Sequence, residues 1–139
     1  MQTNLEQIRA LHAHRFWDQN WPDPVTSSRR LKEVTGADGG NVIPKLGPLL
    51  LECGLLSTLA FANHKGGGYL TLLTEVGRYL GSQGADGRQL LPQPATSLDA
   101  FVRQLTQGNS QLLIQATSEA LIYLGYLKRF APPPPTVTA

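Results

Sequence analysis

The segment over residues 110–131, SQLLIQATSEALIYLGYLKRFA, restricts the fold more than any other part of this chain. Its aliphatic residues recur at the i, i+3, i+4 spacing of one helical face, and its aromatic residues form a second apolar flank. A helix that is apolar on two faces has to be covered by other helices on both sides. Four prolines follow at 132–135, where missing amide protons end any helix. The first face comprises Leu113, Ala116, Ala120, Leu124, Leu127 and Ala131, and the aromatic flank comprises Tyr123, Tyr126 and Phe130.

Two earlier segments also predict helices. Thr3 and Glu6 fit a capping box, and the apolar spacing after them continues until the prolines of NWPDP. The stretch over 43–64 predicts the central core helix, which should start at the Gly-Pro pair at 47–48 and break or bend at Gly54.

Further elements follow from the turn residues and caps. We expect a short helix over 28–35, a helix over 69–80 that ends at a glycine, and another that Thr96 or Ser97 caps. The Gly- and Pro-rich stretch over 82–95 should be a long mobile loop.

The length and pattern agree with one all-α domain. A chain of 139 residues can bury about two thirds of its unfolded surface, so it needs no disulfide and no structural metal. No stretch of useful length alternates apolar and polar residues as a strand does. We expect a compact bundle of five to six helices of unequal length over residues 1–131, with a disordered Pro-rich tail over 132–139.

The sequence offers little for catalysis. Its single cysteine, Cys53, lies in an apolar run, which predicts a buried thiol and not a nucleophile. His12 and His14 are two positions apart, so on a helix they diverge and cannot share a metal ion. Lys65 precedes the glycines of KGGG, whereas a phosphate-binding P-loop has its lysine after them. The acidic residues are scattered singly, although folding could still bring a pair together. We expect no enzymatic activity, no cofactor and no metal.

The location follows from the same patterns. No basic segment leads into an apolar run near the start, and the longest apolar run, over 120–127, is less than half of the roughly 20 residues that a membrane span requires. We expect a cytoplasmic protein without membrane contact.

The charge permits nucleic-acid binding without requiring it, since the net charge is only +2. The cations lie at predicted helix ends and on polar faces. Lys128 and Arg129 would stabilise the last helical turn through the helix dipole in any case, and the RRLK run at 29–32 is typical of a solvated face.

Three stretches are together similar to one known family. They are LEQIRALHA at 5–13, PKLGPLLLECGLLSTLAFANHKGGG at 44–68 and ATSEALIYLGYLKRFA at 116–131. The shared features are an Arg-Ala pair in the opening helix, a Gly-Leu, an LAF and a Lys-Gly connector in the middle, and a closing Lys-Arg-Phe-Ala. The sequence thereby resembles the small helical subunit of the type III-B CRISPR effector complex, the Cmr small-subunit family.

This resemblance implies a non-catalytic structural role in antiviral defence. Copies of such a subunit stack along the complex beside the backbone subunits, near the guide RNA–target RNA duplex and the large subunit, and the other subunits perform the catalysis. It implies contacts to the RNA backbone without sequence preference. The candidate residues, which lie in or beside the matching stretches, are Arg9, Arg15, Lys45, Lys65, Lys128 and Arg129.

Two other functions remain open from the residues alone. A helical adaptor that binds only protein, for example through its proline tail, would show no dependence on RNA. A small DNA-binding regulator would need an exposed polar recognition helix, and no pair of short helices joined by a tight turn supplies one.

Overall fold

The computed structural model describes residues 4–20, 42–83, 87 and 89–131. These residues form an all-α bundle without strands, which confirms the predicted fold class. The helix expected over 28–35 and the tail over 132–139 lie outside the described residues. None of the described helices is long and apolar enough to cross a bilayer. The helices are α1 (Leu5–Asn20), α2 (Val42–Cys53), α3 (Leu55–Lys65), α4 (Gly67–Leu80), α5 (Leu98–Gln107) and α6 (Ser110–Phe130).

Side-chain caps define where three helices begin. Asn4 accepts from the Gln7 amide at 2.8 Å, and Gln7 Oε1 accepts in return from the Asn4 amide at 3.1 Å. This capping box lies one residue after the predicted Thr3–Glu6 box, because the helix begins one residue later. Ser97 caps α5 as predicted, and Asn109 caps α6.

The central apolar segment divides into two helices. Gly54, at a φ of 84°, separates α2 from α3 as predicted, since only glycine adopts that conformation at little cost. The predicted start at 47–48 is wrong, because α2 begins at Val42 and contains Pro48. Val42, Leu46 and Leu50 are buried one turn apart, so tertiary packing outweighs the local signal of the proline.

Cys53 corrects a second expectation from this segment. It is the last residue of α2, and its thiol is exposed instead of buried. Its apolar neighbours in sequence misled the prediction, since the buried face of α2 carries Leu46 and Leu50 while Leu51 and Cys53 lie on the exposed side.

The long helix α6 lies at the centre of the bundle and contacts α1, α2, α3 and α4. Trp17 Nε1 donates to the Leu127 carbonyl at 2.9 Å, and Arg9 bonds Glu119; both pairs are 110 positions apart, so α1 runs parallel to α6. Later residues of α4 and of α2 contact earlier residues of α6, so both helices run antiparallel to α6. The predicted two-sided packing of the last helix is confirmed.

The stretch after α4 folds back instead of forming a mobile loop throughout. The amides of Leu90 and Leu91 both donate to the Leu80 carbonyl, at 2.7 and 3.0 Å, and Leu91 and Ala95 are fully buried. Gly81 ends α4 at a φ of −97°, so it is not a left-handed cap. Its lack of a side chain serves another purpose, because a Cβ there would collide with the backbone of Gln93.

Two glycines inside helices should respond oppositely to alanine. A Cβ on Gly77 in α4 would lie 2.7 Å from Phe101 and 2.9 Å from Ala95, whereas nothing lies within 4 Å of a Cβ on Gly125 in α6. We expect Gly77→Ala to lower the free energy of unfolding by about 1–3 kcal/mol through overpacking. Gly125→Ala should raise it by up to about 1 kcal/mol, the difference in helix propensity.

Urea unfolding of the two variants beside the wild type measures both changes. A Gly77→Ala protein as stable as the wild type would contradict the close approach of α4 and α5.

Candidate nucleic-acid interface

Five of the six predicted contact residues lie towards one end of the bundle. The helix directions bring the last turns of α1, α3 and α6 and the first turns of α2 and α4 to this end. The five side chains come from four helices, and all are exposed. We call them the cationic end: Arg15, Lys45, Lys65, Lys128 and Arg129.

Three of these cations also stabilise the end of their own helix. Lys65 lies in the last turn of α3, and Lys128 and Arg129 lie in the last turn of α6, where each stabilises its helix through the dipole. Because α1 and α6 run parallel and α3 meets α4 at Gly66, these helix ends lie towards the same end of the bundle. Cations that stabilise individual helices through their dipoles are thus found together at that end.

The opposing charge at this end is small. Of the acids in the described ranges, Asp18 on α1 lies there and is exposed. Glu6 and Glu52 lie towards the other end of the bundle, near the start of α1 and the end of α2, and Asp99 pairs with Arg103 on α5 at 3.0 Å. Within the described ranges, this end therefore carries five exposed cations and one exposed acid.

Arg9, the sixth candidate, has a different environment. Its guanidinium makes two hydrogen bonds to Glu119 on α6, at 2.7 and 2.8 Å, and its side chain is only 15% exposed. The hydrogen bond to Glu119 raises the pKa of Arg9 despite the opposing effect of burial. The structure thus places Arg9 within the α1–α6 contact and not with the other five.

Two glutamate–tyrosine pairs cross between α4 and α6, a feature that sequence reasoning missed. Tyr79 of α4 donates to Glu119 of α6 at 2.8 Å, and Tyr123 of α6 donates to Glu75 of α4 at 2.6 Å. In both helices the glutamate precedes the tyrosine by one turn. The two rings stack with centroids 3.9 Å apart and an interplanar angle of 13°. We call these four residues the crossed Glu–Tyr pair.

Arginines neutralise both carboxylates of the crossed Glu–Tyr pair. Arg78 makes two hydrogen bonds of 2.7 Å to Glu75, and its Nη2 also lies 3.0 Å from His12 Nδ1. Arg9 pairs with Glu119 from α1. Each acid is therefore held by a cation and a phenol, which satisfies a buried carboxylate and positions three helices.

A signal for this network was present in the sequence. Glu119 lies one turn before Tyr123, on the flank that the periodicity marks as apolar, and it is only 3% exposed. A carboxylate on a buried face requires a partner. The sequence did not show which cation or phenol would reach it. The predicted divergence of the two histidines holds, since His12 is buried and His14 exposed.

The buried phenol of Tyr123 predicts a loss of stability in alkali. Burial, and after it the charge of Glu75, raise the pKa of Tyr123 far above its ordinary value. Below about pH 10 both folded and unfolded states keep the proton, and above it only the unfolded state ionises. The free energy of unfolding should therefore fall as the pH rises past 10, by up to about 1.4 kcal/mol per pH unit for this group.

The measurement is the urea midpoint of the wild type and of Tyr123→Phe from neutral pH into alkali. The variant should be less stable at neutral pH and should lose less stability above pH 10. Parallel declines of the two proteins would mean that Tyr123 ionises as readily in the folded chain as in the unfolded one.

Comparison with known protein families gives one match. A family model described as CRISPR-associated protein (Cas_Cmr5) matches residues 31–132. The match spans about three quarters of the chain and includes the second and third of the resembling stretches. No curated protein and no solved structure matches the chain significantly.

Proposed function

Because this chain belongs to the CRISPR-associated Cmr5 family, we propose that it is a non-catalytic structural subunit of a type III-B (Cmr) antiviral effector complex. In this role it stacks along the guide RNA–target RNA duplex and bridges the backbone and large subunits in the cytoplasm. Its partners are those subunits, further copies of itself and both RNAs.

The observation that carries the RNA contact is the cationic end. Five exposed cations from four helices gather where the described ranges place a single exposed acid, Asp18. Phosphate groups bind to such a surface by charge, with no sequence preference and with strong dependence on salt. A single subunit with five cations binds RNA weakly, and repetition along the complex multiplies the affinity.

The hydrogen bonds of the two buried carboxylates support a non-catalytic role. Glu75 and Glu119 each accept from an arginine and a tyrosine, and they are 7% and 3% exposed. A general acid or base has to reach substrate with its proton-carrying atom. The crossed Glu–Tyr pair instead uses its carboxylates to join helices.

Co-purification of the tagged protein from its host, with analysis of both proteins and short RNAs, tests this function. We expect a multi-subunit assembly that contains a discrete guide RNA. Recovery of an unrelated protein partner without RNA would overturn the proposal in favour of a protein-only adaptor. A sequence-specific footprint on duplex DNA would overturn it in favour of a small regulator.

A further inference from the structure

The aromatic side chains of the described residues divide into two groups by exposure. Those that are buried pack in the core: Phe16, Trp17, Tyr79, Phe101 and Tyr123. Those that remain partly accessible in the described residues are Phe61, Tyr69, Tyr126 and Phe130.

The partly accessible rings lie towards the same end of the bundle. Phe61 lies near the end of α3 and contacts Tyr69 in the first turn of α4, with ring centroids 5.1 Å apart. Tyr126 and Phe130 lie in the last two turns of α6. Helix directions bring both pairs to the cationic end. Aromatic faces and cations on one surface are the combination by which proteins bind single-stranded nucleic acid.

The pair on α6 has the clearer geometry. Tyr126 and Phe130 are one turn apart with nearly parallel rings, at an interplanar angle of 8° and a centroid distance of 6.5 Å. Phe130 is 41% exposed. Arg129 lies over the Tyr126 ring at 5.8 Å, and Lys128 adjoins it in the same turn. One helical turn thus carries a partly exposed aromatic ring and two exposed cations.

We propose that Phe130, supported by Tyr126 and Arg129, is a stacking platform for an unpaired base of single-stranded RNA. This inference rests on the proposed function and narrows it to one class of ligand. An unpaired base has a free π-face that can stack on Phe130, and its flanking phosphates lie within reach of Lys128 and Arg129. Bases within a duplex are already stacked, so they gain nothing from the ring.

The charge of this turn selects RNA over a protein as the occupant. Two cations beside an exposed ring complement the alternation of base and phosphate along a strand. The platform differs from the phosphate contacts proposed above in the RNA that it binds, because a stacking ring favours single strands over duplexes.

Equilibrium binding of the full-length protein to a short fluorescent oligouridine and to an RNA duplex, each over a range of salt, tests the platform. Phe130→Leu keeps an apolar side chain but removes the π-face. It should weaken oligouridine binding about tenfold, the loss expected when one base–aromatic stack is removed. Duplex affinity and the salt slopes should not change. Phe130→Trp, the matched control, should retain oligouridine binding.

The remaining outcomes separate this inference from the proposed function. Equal oligouridine affinity of the wild type and Phe130→Leu would overturn the platform and leave the phosphate contacts intact. If Phe130→Leu lost protein partners on co-purification while its RNA affinity stayed unchanged, Phe130 would contact protein. This outcome would also overturn the platform. If the wild type bound the duplex but no oligouridine, the platform would be wrong while the proposed function stood.

Discussion

Glu119→Ala should lower the free energy of unfolding by about 3–5 kcal/mol. The carboxylate is 3% exposed and accepts from Arg9 and from the Tyr79 hydroxyl. Its removal leaves a guanidinium that is only 15% exposed without its counter-charge and removes the carboxylate that accepts from the buried Tyr79 hydroxyl. Both groups then lose interactions that water cannot fully replace. For a domain whose total stability is about 5–15 kcal/mol, this is a large fraction.

Asp99→Ala is the matched control, because it removes an acid that also pairs with an arginine. The Asp99 and Arg103 side chains are 73% and 72% exposed, so this pair contributes at most about 1 kcal/mol. Urea unfolding at neutral pH compares the two variants with the wild type. If Glu119→Ala cost no more than Asp99→Ala, the crossed Glu–Tyr pair would not hold α1, α4 and α6 together.

Neutralising the five residues of the cationic end with glutamine should reduce duplex RNA affinity at low salt by at least about a hundredfold. Each phosphate contact contributes about 0.9 to the slope of log affinity against log salt concentration. Loss of five contacts should therefore reduce the magnitude of that slope by about 4.5. Since all five side chains are exposed, the variant should still fold, with a modest loss of stability because Lys65, Lys128 and Arg129 no longer complement their helix dipoles.

The choice of residues for this experiment follows from the structure. Arg9 is left unchanged, because its substitution would break the buried pair with Glu119 and confound binding with unfolding. Arg103→Gln serves as the control, since it removes an exposed cation on α5 outside the cationic end. An unchanged salt slope in the five-residue variant would contradict the proposed RNA contact.

The sequence predicted the described helices well where local and tertiary signals agreed. The start of α6 after Asn109, the cap of Ser97 and the break at Gly54 all came from short-range chemistry. The prediction failed where packing outweighed a local signal. Pro48 suggested a helix start, yet the buried face of α2 continues through it to Val42.

The same distinction applies to the loop between α4 and α5. Glycines and prolines marked it as mobile, but Leu91 and Ala95 anchor it in the core and its amides bond the end of α4. Two apolar residues in a polar stretch carry no periodicity, so sequence patterns could not show where they pack. The prediction that Cys53 is buried was wrong, because its apolar neighbours in sequence did not reveal that it ends a helix on the exposed side.

The candidate site was predicted in composition but not in arrangement. The family resemblance and helix-end positions identified the cations, and five of the six are exposed at one end of the bundle. The RNA contact stays a prediction for all six residues, and the structure shows the partner of Arg9 to be Glu119, 110 positions away in sequence. No local pattern could identify a partner at that distance.

The sequence by itself determined the all-α class, the central last helix and the placement of cations at helix ends, because these depend on periodicity, capping and dipoles within single segments. Only the tertiary structure decided which cations converge and which are neutralised. Convergence depends on the relative directions of four helices, and neutralisation depends on the crossing of α1, α4 and α6 at the Glu–Tyr pair. Both depend on contacts between segments that are distant in sequence. The energy of these contacts depends on burial, which arises only when the segments pack together.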